Sequence, residues 1–533
     1  MERLDGTAVR AWALAAQVAL DEARDRIDAV NVFPVADSDT GTNVHLTVGG
    51  GAAALGTVPV GAGAHEVARA FARGALLAAR GNSGIIVSQY LAGFAAALPD
   101  DADAAQLAAA LGAASRAATG AVADPQEGTV LTLARSVAQV AADAVTHGGA
   151  DSDGLVAVLR PALREAHASL GAISEVHPVL RASHVLDAGA CGLLVVLDAL
   201  ARAVEGRAHA PADLAWLPTA AGPRDDRHDP GGPGADGHHA HGHGAGGHPE
   251  GEGAFEVMLL VRSAADEDLG PALRERMRAV GDSVAVVGDD GLWNVHVHTD
   301  DPARAIEQAS CGAREQVVVR LLASRTGTGG AGGPGAGAVL GVVACTGTSG
   351  LAAAHASTGA VAVVRCDGTG VGVRHLVRAI TDTGAPRVVV LPGDAETAEA
   401  ARAAAHALEP TGVHVSVAED ALDELRVLVG VLALQGSGAG DLAGRLEACR
   451  GALRRLRGTE LARPEPDEVQ AALDALLAQH EGDPESLTVL LGTGSTAEVG
   501  ESLVARTARD HPGLAVLVAG PVDGLPAVWL GVD

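Results

Sequence analysis

Two carboxylates separated by one residue, Asp37 and Asp39, stand in a polar turn between two apolar segments with helical spacing. Pro34 disfavours a helix around it, so the two aspartates are predicted to lie in a loop. Gly41 would let the backbone come close to a ligand. Such carboxylates suit Mg²⁺, which proteins usually hold through one or two carboxylates together with substrate phosphates. The turn therefore predicts a magnesium site, and an Asx-rich helix cap is the alternative.

The residues that follow add hydrogen-bond donors to this turn. Thr40, Thr42 and Asn43 stand at the start of the next predicted helix. The positive end of a helix dipole favours anions at such a position. The pattern is typical of a site for a phosphorylated ligand and its metal.

Residues 31–43 closely resemble the NVFPVPDGDTGTN signature of the dihydroxyacetone-kinase L-domain in the ATP-binding subunit of bacterial fatty acid kinase. Three further turns resemble motifs of the same family, in the same order: ARGNSG at 79–84, EGTVL at 127–131 and DAGACG at 187–192. Any one of these would be weak, but four in order over residues 31–192 are specific.

The resemblance implies an antiparallel barrel of eight helices that holds ATP at one end with two Mg²⁺ ions. Asp37 and Asp39 would hold the ions, and Asn31 matches a third ligand position. Residues implied to contact the phosphates are Thr40, Thr42, Asn43, Asn82 and Ser83. Thr129 and Asp187 would line the nucleoside end. Arg80 would offset charge on the transferring phosphate, or else form a structural ion pair.

Two residues of the first motif differ from the family's signature, one between the two aspartates and one before them. Ser38 replaces the family's glycine and Ala36 its proline. If the glycine position requires a positive φ, Ser38 costs about 1 kcal/mol or more. Both carboxylates remain, so the kinase interpretation stands.

Composition limits the classes of function. A chain of 533 residues is too long for one core and predicts two to four domains. The net charge of −28 argues against binding nucleic acid or an anionic membrane surface. The absence of lysine excludes Schiff-base chemistry and a phosphate-loop lysine. Five scattered cysteines, no signal-peptide core and no long apolar run predict a soluble cytoplasmic protein without a membrane span.

Composition and periodicity also predict a multidomain α and α/β fold. Residues 1–205 form a helical domain, because seven segments have helical spacing: 9–29, 65–79, 85–97, 104–119, 129–145, 153–170 and 193–204. Residues 206–253 are predicted to be a disordered linker, since Pro, Gly, Asp and His dominate them. Histidines within 238–248 would be a solvated spacer or an adventitious metal binder.

Residues 254–323 predict a βαββαβ, ferredoxin-like middle domain. His296 and His298 face the same side of one strand and can share a metal, or simply form a polar sheet face. The resemblance implies a zinc site here that relatives complete with a cysteine, and Glu256 occupies that cysteine's place. A set of Glu256, His296 and His298 is still acceptable for Zn²⁺.

Residues 324–338 are a Gly-rich linker, and residues 339–533 alternate strands with helices in an α/β domain. The sequence TGTSG at 346–350 follows the first of these strands and is either a phosphate cradle or a tight turn. This region resembles, more loosely, the DegV-like C-terminal domain of the same family of proteins.

The resemblance implies an ATP-dependent kinase that phosphorylates the carboxylate of a fatty acid held by a separate DegV-like fatty-acid-binding protein. A carboxylate is already ionised at neutral pH, so the reaction needs no general base. The family also implies a homodimer. The alternatives are a non-catalytic nucleotide-sensing scaffold, which Ser38 favours, and a glycerone (dihydroxyacetone)-type kinase L-subunit. The acyl chain cannot be predicted, because its pocket would lie on the partner.

Overall fold

The computed structural model of the chain describes residues 2–33, 38–122, 124–147, 154–218, 253–264, 267–289, 291–322, 340–366, 368–436, 442–462, 465–480, 484–495 and 497–533. Asp37, the His-rich stretch at 238–248 and the second predicted linker at 324–338 lie outside these ranges. The chain forms two compact units, one within residues 1–252 and the other taking up nearly all of residues 253–533. None of the helices in the described ranges combines the length and apolar character that a membrane crossing requires.

The first unit is helical, as the spacing of its apolar residues predicts. Its described helices are α1 (Gly6–Asp28), α2 (Thr40–Ala54), α3 (Ala64–Ala78), α4 (Gly81–Ala97), α5 (Ala104–Ala121), α6 (Val130–His147), α7 (Leu155–Ser174), α8 (Pro178–Ser183) and α9 (Ala188–Val204). All but the six-residue α8 are long. Each long helix packs against the next long helix along the chain, and α9 packs against α1. The helical prediction is confirmed, and the antiparallel barrel stays a prediction.

Polar side chains just before the helices fix where they begin. The Asp5 carboxylate accepts a hydrogen bond from the Ala8 N–H at 2.8 Å and so caps α1. Asp103 and Gln106 form a reciprocal capping box at the start of α5. Caps of this kind satisfy N–H groups that a helix leaves without an internal partner.

The core of the first unit is filled mainly by Ala, Leu and Val side chains. Its main aromatic cluster is Trp12, which packs edge-on against Phe71 and Phe94 with ring centroids 5.5 and 5.1 Å away. Because these side chains are small, the helices can pack with their backbones close together. This is how a chain with only 2% aromatic residues builds a helical core.

The first unit continues past the end of α9. Leu217 is buried in the helical core. Arg26 of α1 donates hydrogen bonds to the carbonyl oxygens of Leu217 and Pro218. The Trp216 ring contacts the His167 ring, with centroids 5.0 Å apart. The prediction that a disordered linker begins at residue 206 is therefore wrong for residues 206–218, because apolar side chains anchor them to the helices.

The second unit contains an eight-stranded sheet. Its strands are β1 (Phe255–Arg262), β2 (Asp282–Asp289), β3 (Leu292–Thr299), β4 (Ala313–Leu321), β5 (Leu340–Thr346), β6 (Val361–Val364), β7 (Arg387–Leu391) and β8 (His414–Val417), in the order β2-β3-β1-β4-β6-β5-β7-β8. The helices between them are α10 (Gly270–Arg278), α11 (Pro302–Gln308), α12 (Ala352–Ser357), α13 (Val373–Asp382) and α14 (Ala395–Leu408). β1 runs antiparallel to β3 and β4, whereas β5 is parallel to β6 and β7, and β7 to β8.

The middle and C-terminal segments share this sheet. β1 to β4 with α10 and α11 reproduce the predicted βαββαβ order. However, β4 pairs antiparallel with β6, and Val318 lies opposite Val363. Val318 also packs in the same buried cluster as Val361 and Val363. The predicted boundary at 324–338 therefore separates two chain segments but not two sheets.

A four-stranded sheet follows near the C-terminus. It contains β9 (Arg457–Leu461), β10 (Ser486–Gly492), β11 (Ala515–Val522) and β12 (Val528–Val532), in the order β11-β10-β12-β9. The helices of this region are α15 (Glu424–Gly436), α16 (Leu442–Arg455), α17 (Pro466–Gln479) and α18 (Ala497–Asp510). The alternation of strands and helices predicted for residues 339–533 is confirmed. β9 is polar and half exposed, so it gives no apolar signal in the sequence. The DegV-like character of this region stays a prediction.

Candidate functional site

The start of α2 holds Asp39 in a fixed position. Asp39 is the N-cap residue, and its backbone carbonyl accepts a hydrogen bond from the Asn43 N–H at 2.8 Å. The Asn43 side-chain amide also donates to Asp39 Oδ1 at 2.8 Å. These two bonds keep the carboxylate at the positive end of the helix dipole.

A buried hydroxyl joins the first motif to the second. Thr40 Oγ1 donates a hydrogen bond to Asn31 Oδ1 at 2.9 Å and lies 3.4 Å from Ser83 Oγ. Ser83 follows the half-buried Asn82 in the first turn of α4. Asn31, Thr40 and Ser83, which the resemblance selects from two distant stretches, therefore form one polar cluster.

The turn before α4 fits closely against α2. Gly81 has a φ of 55°, and a Cβ added to it would lie 2.6 Å from Asn43 Nδ2. Glycine is needed here because both the backbone conformation and the space exclude a side chain. Arg80 is buried, and its guanidinium donates to the carbonyl oxygen of Ala78 at the end of α3. Part of its role is thus structural, through this backbone carbonyl, while the ion pair stays a prediction.

Thr129 and Asp187 lie at the starts of α6 and α9, and these two helix starts are neighbours. The Asp187 carboxylate accepts hydrogen bonds from the N–H groups of Ala190, at 2.7 Å, and of Val130. Burial raises the pKa of Asp187 to about 6, against the lowering effect of these two bonds. The Thr129 hydroxyl donates to the Gln126 carbonyl at 2.8 Å. The EGT and DAG turns are therefore neighbours, held together by one buried carboxylate.

A ring contact links these turns to the first motif. The Phe33 ring lies against the His177 ring, with centroids 3.9 Å apart. A Cβ added to Gly128, whose φ is 85°, would lie 2.6 Å from the His177 backbone nitrogen. His177 is buried, and burial lowers its pKa. The sequence analysis missed His177, because the residue lies in no motif and only the fold brings it to Phe33.

Four helix N-termini gather at this end of the first unit. Each of the four motifs spans the start of a helix, namely α2, α4, α6 or α9. Thr40 and Ser83 connect α2 with α4, and Asp187 connects α6 with α9. A Cβ on Gly192 would lie 3.3 Å from Val44, one turn into α9 and α2 respectively, so these two helices start at the same level. Converging helix N-termini favour an anionic ligand such as a polyphosphate.

Asp28, which the sequence analysis also missed, caps α2 from the end of α1. Its carboxylate accepts hydrogen bonds from the Gly41 N–H at 2.6 Å, the Thr42 N–H at 3.1 Å and the Thr42 hydroxyl at 2.7 Å. Burial raises the pKa of Asp28, these bonds lower it, and the nearby charge of Asp39 adds to the rise. Thr42 therefore points toward Asp28, and its predicted contact with phosphate would require a rearrangement.

Gly41 is needed for a different reason from the one predicted. A Cβ at this position would lie 2.3 Å from the carbonyl oxygen of Arg24. The absence of a side chain thus allows α2 to start directly against α1. Close helix packing, rather than approach to a ligand, explains this glycine.

Ser38 has a φ of 57°, in the left-handed region. A positive φ at this position is the condition under which a serine is costly. A residue with a Cβ pays about 1–3 kcal/mol there, whereas glycine does not. The substitution thus places a residue with a Cβ in a conformation that favours glycine.

Ser38→Gly is therefore expected to raise the stability of the loop and to keep or increase Mg²⁺–ATP affinity. Thermal unfolding and calorimetric titration would measure both effects. Ser38→Ala is the matched control, because it removes the hydroxyl but keeps the Cβ. A large loss of affinity in both variants would show that the hydroxyl itself takes part, contrary to this prediction.

The oxygen atoms at the start of α2 fit Mg²⁺ by their chemistry. Asn31 offers an amide oxygen beside Thr40, and Asp39, the residue before Thr40, offers a carboxylate. Hard oxygen donors of these two types are those that Mg²⁺ prefers. Asp37 would add a second carboxylate, but it lies outside the described residues.

A second cluster of ligand type lies on the sheet of the second unit. Glu256 on β1 is in register with His298 on β3, and His296 stands two residues before it. All three are buried, and one donor atom from each lies within 4.8 Å of the others. The His296 and His298 Nε2 atoms are 3.1 Å apart, and His296 Nδ1 is 3.4 Å from Glu256 Oε1. The three residues selected from the sequence are thus brought together.

Arg320 is the part of this cluster that the sequence analysis did not include. It lies opposite Glu256 on β4 and donates to Glu256 Oε2 at 2.6 Å. Burial raises the pKa of Glu256, but the charges of Arg320 and the two histidines outweigh it and lower the pKa to about 2. Burial lowers the pKa of His296 to about 3. A carboxylate and neutral imidazoles are the forms that bind Zn²⁺, while Arg320 competes for the carboxylate.

Comparison with known families agrees with the arrangement of the chain. Residues 34–202 match the model of the DAK2 domain. Residues 252–323 match the middle domain of FakA-like fatty acid kinase proteins. These two stretches are therefore similar to the DAK2 domain and to the FakA-like middle domain, and the resemblance found in the motifs is confirmed.

Relatives match a little more than half of the chain. Protein YloV of Bacillus subtilis is 32% identical over 313 residues, which cover 57% of this chain and 53% of that protein. An uncharacterized protein of Staphylococcus saprophyticus is 29% identical over 309 residues, covering 57% and 52%. One of Staphylococcus haemolyticus is 31% identical over 282 residues, covering 52% and 48%. The chain thus spans about half the length of the curated relatives it matches.

Proposed function

We propose that the helical unit binds Mg²⁺–ATP where its four helix N-termini converge and transfers the γ-phosphate to the carboxylate of a fatty acid. The fatty acid would be presented by a separate DegV-like lipid-binding protein, and the product would be an acyl phosphate. The main support is the polar cluster of Asn31, Thr40 and Ser83 at the starts of α2 and α4, with the Asp39 carboxylate at the N-cap of α2. The matches to the DAK2 domain and to the FakA-like middle domain support the reaction class.

In this proposal the chain's own groups position the nucleotide. Asn31, Asp37 and Asp39 would hold the two Mg²⁺ ions, which neutralise charge on the phosphate oxygens during transfer. The N–H groups and hydroxyls at the start of α4, around Asn82 and Ser83, would bind phosphate oxygens. Thr129 and Asp187 would face the nucleoside. Arg80, which is buried beside this cluster, would contribute positive charge.

The acceptor follows from chemistry and from the resemblance. A carboxylate is ionised at neutral pH, so transfer to it needs positioning but no base. The partner would bring its fatty acid to the helical unit by docking on the α/β region. We propose that the protein acts in the cytoplasm, as the free cysteines predict, and as a homodimer, as the family implies.

A glycerone-type kinase activity is the second candidate, and one observation favours it. A hydroxyl acceptor must lose its proton, and His177 lies against Phe33 of the first motif with a pKa that burial lowers. A neutral imidazole of this kind is a suitable base. If this candidate were correct, His177→Gln would reduce transfer to glycerone without changing Mg²⁺–ATP affinity.

ATP turnover separates these possibilities. The full chain would be assayed alone, with glycerone, and with a DegV-like protein loaded or not loaded with fatty acid. We expect turnover only with the loaded protein and formation of acyl phosphate. Turnover with glycerone would favour the second candidate, and nucleotide binding without turnover in any condition would favour a sensing scaffold.

We also propose that Glu256, His296 and His298 bind one Zn²⁺ ion. The support is their burial and the short distances between their donor atoms. A His₂Glu set is a known protein environment for Zn²⁺. Bound zinc would join β1 to β3 and thus stabilise the sheet of the second unit.

Untagged protein that lacks residues 228–248 is expected to contain about one zinc ion per chain, since the three-residue set fills one zinc site. The deletion removes the histidines that could bind metal without a built site. Arg320→Met should raise Zn²⁺ affinity, because it frees Glu256 Oε2, whereas Arg262→Met changes only an exposed ion pair with Glu315 and should not. Elemental analysis and chelator competition measure these effects. Absence of zinc from both the deletion protein and the Arg320→Met variant would favour a plain polar sheet face.

A further inference from the structure

The parallel strands of the second unit create a crevice away from the sites described above. After β5 the chain forms β6 on one side of β5 and then crosses to form β7 on the other side. The direction of the connections thus reverses between β5 and β7. In parallel sheets this reversal opens a crevice at the carboxyl ends of the strands, where ligands bind.

The residues at this crevice include donors for an anion. Thr346 ends β5, and Gly347 follows it in the TGTSG loop. Arg365 comes directly after β6. A Cβ on Gly347 would lie 2.8 Å from Arg365 Nη2 and 3.2 Å from Glu424 Oε1. The glycine therefore leaves room for a guanidinium and a carboxylate beside the loop.

The carboxylate of Glu424 fills the position of the anion. Glu424 begins α15, after β8, and reaches the end of β5. It accepts hydrogen bonds from the Gly347 N–H at 2.6 Å and from the Thr346 hydroxyl at 2.7 Å. Arg365 Nη2 lies 3.5 Å from Glu424 Oε1. A backbone N–H, a hydroxyl and a guanidinium around one buried carboxylate are the contacts that a bound carboxylate or phosphate would make.

The charges around the crevice allow it to hold only one anionic group beside Arg365 and Asp394. Arg365 also pairs with Asp394, which caps α14. One cation thus serves two carboxylates, and burial raises the pKa of Glu424 in spite of its hydrogen bonds. A further anion would meet net negative charge while Glu424 is in place. Without the Glu424 side chain, the Gly347 N–H would lose its acceptor, and the Thr346 hydroxyl would keep only the Thr348 carbonyl oxygen at 3.2 Å.

We propose that the crevice between β5 and β7 is a carboxylate-binding site whose ligand is the chain's own Glu424. The TGTSG loop is held from its other side as well, because the Thr348 hydroxyl donates to the Asp523 carbonyl at 2.9 Å and Gly350 abuts Val522. The loop therefore keeps its shape for an anion, and the site accepts an outside carboxylate only when Glu424 leaves.

Chemical rescue tests this proposal in the full chain. Glu424→Ala is expected to lower the unfolding midpoint of the second unit by about 5 °C. Sodium acetate should restore about half of this loss with saturation, whereas sodium chloride at equal ionic strength should not, because only acetate supplies the missing acceptor. The unaltered protein and Glu419→Ala, which breaks an exposed ion pair with Arg402, should show no acetate-specific effect.

Two further measurements cover a variant that folds poorly. If Glu424→Ala does not accumulate in folded form, acetate should increase its refolding yield relative to chloride. Glu424→Gln should fold and should not respond to acetate, because its amide still fills the crevice. Equal behaviour of Glu424→Ala in acetate and chloride, in both unfolding and refolding, would overturn the proposal.

Discussion

Asp39→Asn is expected to reduce phosphoryl transfer and Mg²⁺ affinity by at least about 100-fold, because loss of residues that only support a metal ligand already costs about 10–100-fold. The amide keeps the shape of the side chain but loses its charge. The backbone bond from Asn43 to the Asp39 carbonyl does not depend on the side chain, so α2 should still start at Thr40. Turnover with titrated Mg²⁺ and circular dichroism would measure function and fold separately.

Asp25→Asn is the matched control for this prediction. Asp25 lies near the end of α1, and its side chain is 91% exposed. The same chemical change there should leave turnover and Mg²⁺ dependence unaltered. If Asp39→Asn keeps most of the turnover at saturating Mg²⁺, Asp39 is not a metal ligand. The same substitution at Asp37 should have an effect as large as that at Asp39.

The second large effect concerns the C-terminal limit of the helical unit. A fragment of residues 1–218 is expected to fold and to bind Mg²⁺–ATP with nearly full-length affinity. A fragment that ends at Ala210 should be less stable by about 2–5 kcal/mol, the usual cost of losing a buried leucine. The reason is that it lacks Leu217 and the carbonyl groups that Arg26 binds. Chemical unfolding of the two fragments measures this difference.

The fragment of residues 1–218 also tests which functions need the second unit. All residues proposed to bind the metal and nucleotide lie before residue 218, so nucleotide binding should not need the second unit. Transfer to a lipid-loaded carrier should be far slower with the fragment, because the proposed docking region is absent. Carrier-dependent turnover and calorimetry would be compared with the full chain. Equal rates for the fragment and the full chain would assign the second unit another role.

The motifs made much of the site predictable. Asn31, Thr40 and Ser83 were selected from two separate stretches, and they meet in one hydrogen-bonded cluster. Glu256, His296 and His298 were also selected correctly as neighbours, because alternation along β3 places both histidines on one face. Local periodicity was sufficient for the helices, since their apolar faces repeat regularly.

Residues that act through tertiary contacts were not predictable in this way. Asp28 is one carboxylate among several at the end of α1, and only the approach of α2 reveals its role. His177 becomes relevant because the chain brings it to Phe33. Arg320 changes the zinc cluster through its position across the sheet from Glu256. In each case the partner is distant in sequence, and no spacing rule connects the two residues.

Domain limits were missed for a related reason. A low apolar content predicted a linker from residue 206, but Leu217, Trp216 and the hydrogen bonds of Arg26 hold the end of this stretch against the helices. Likewise, the Gly-rich stretch at 324–338 suggested two independent domains. Pairing between β4 and β6 depends on strand neighbours, which composition does not report.

That pairing restricts how the chain can be divided. β4 has β1 on one side and β6 on the other. Cleavage within residues 323–339 followed by separation of the pieces would leave two edge strands with unpaired backbone N–H and C=O groups, which promote aggregation. A middle domain produced alone should therefore self-associate through β4. Chimaeras between relatives should remain well behaved only when residues 253–322 and the strands from β5 onward come from the same parent.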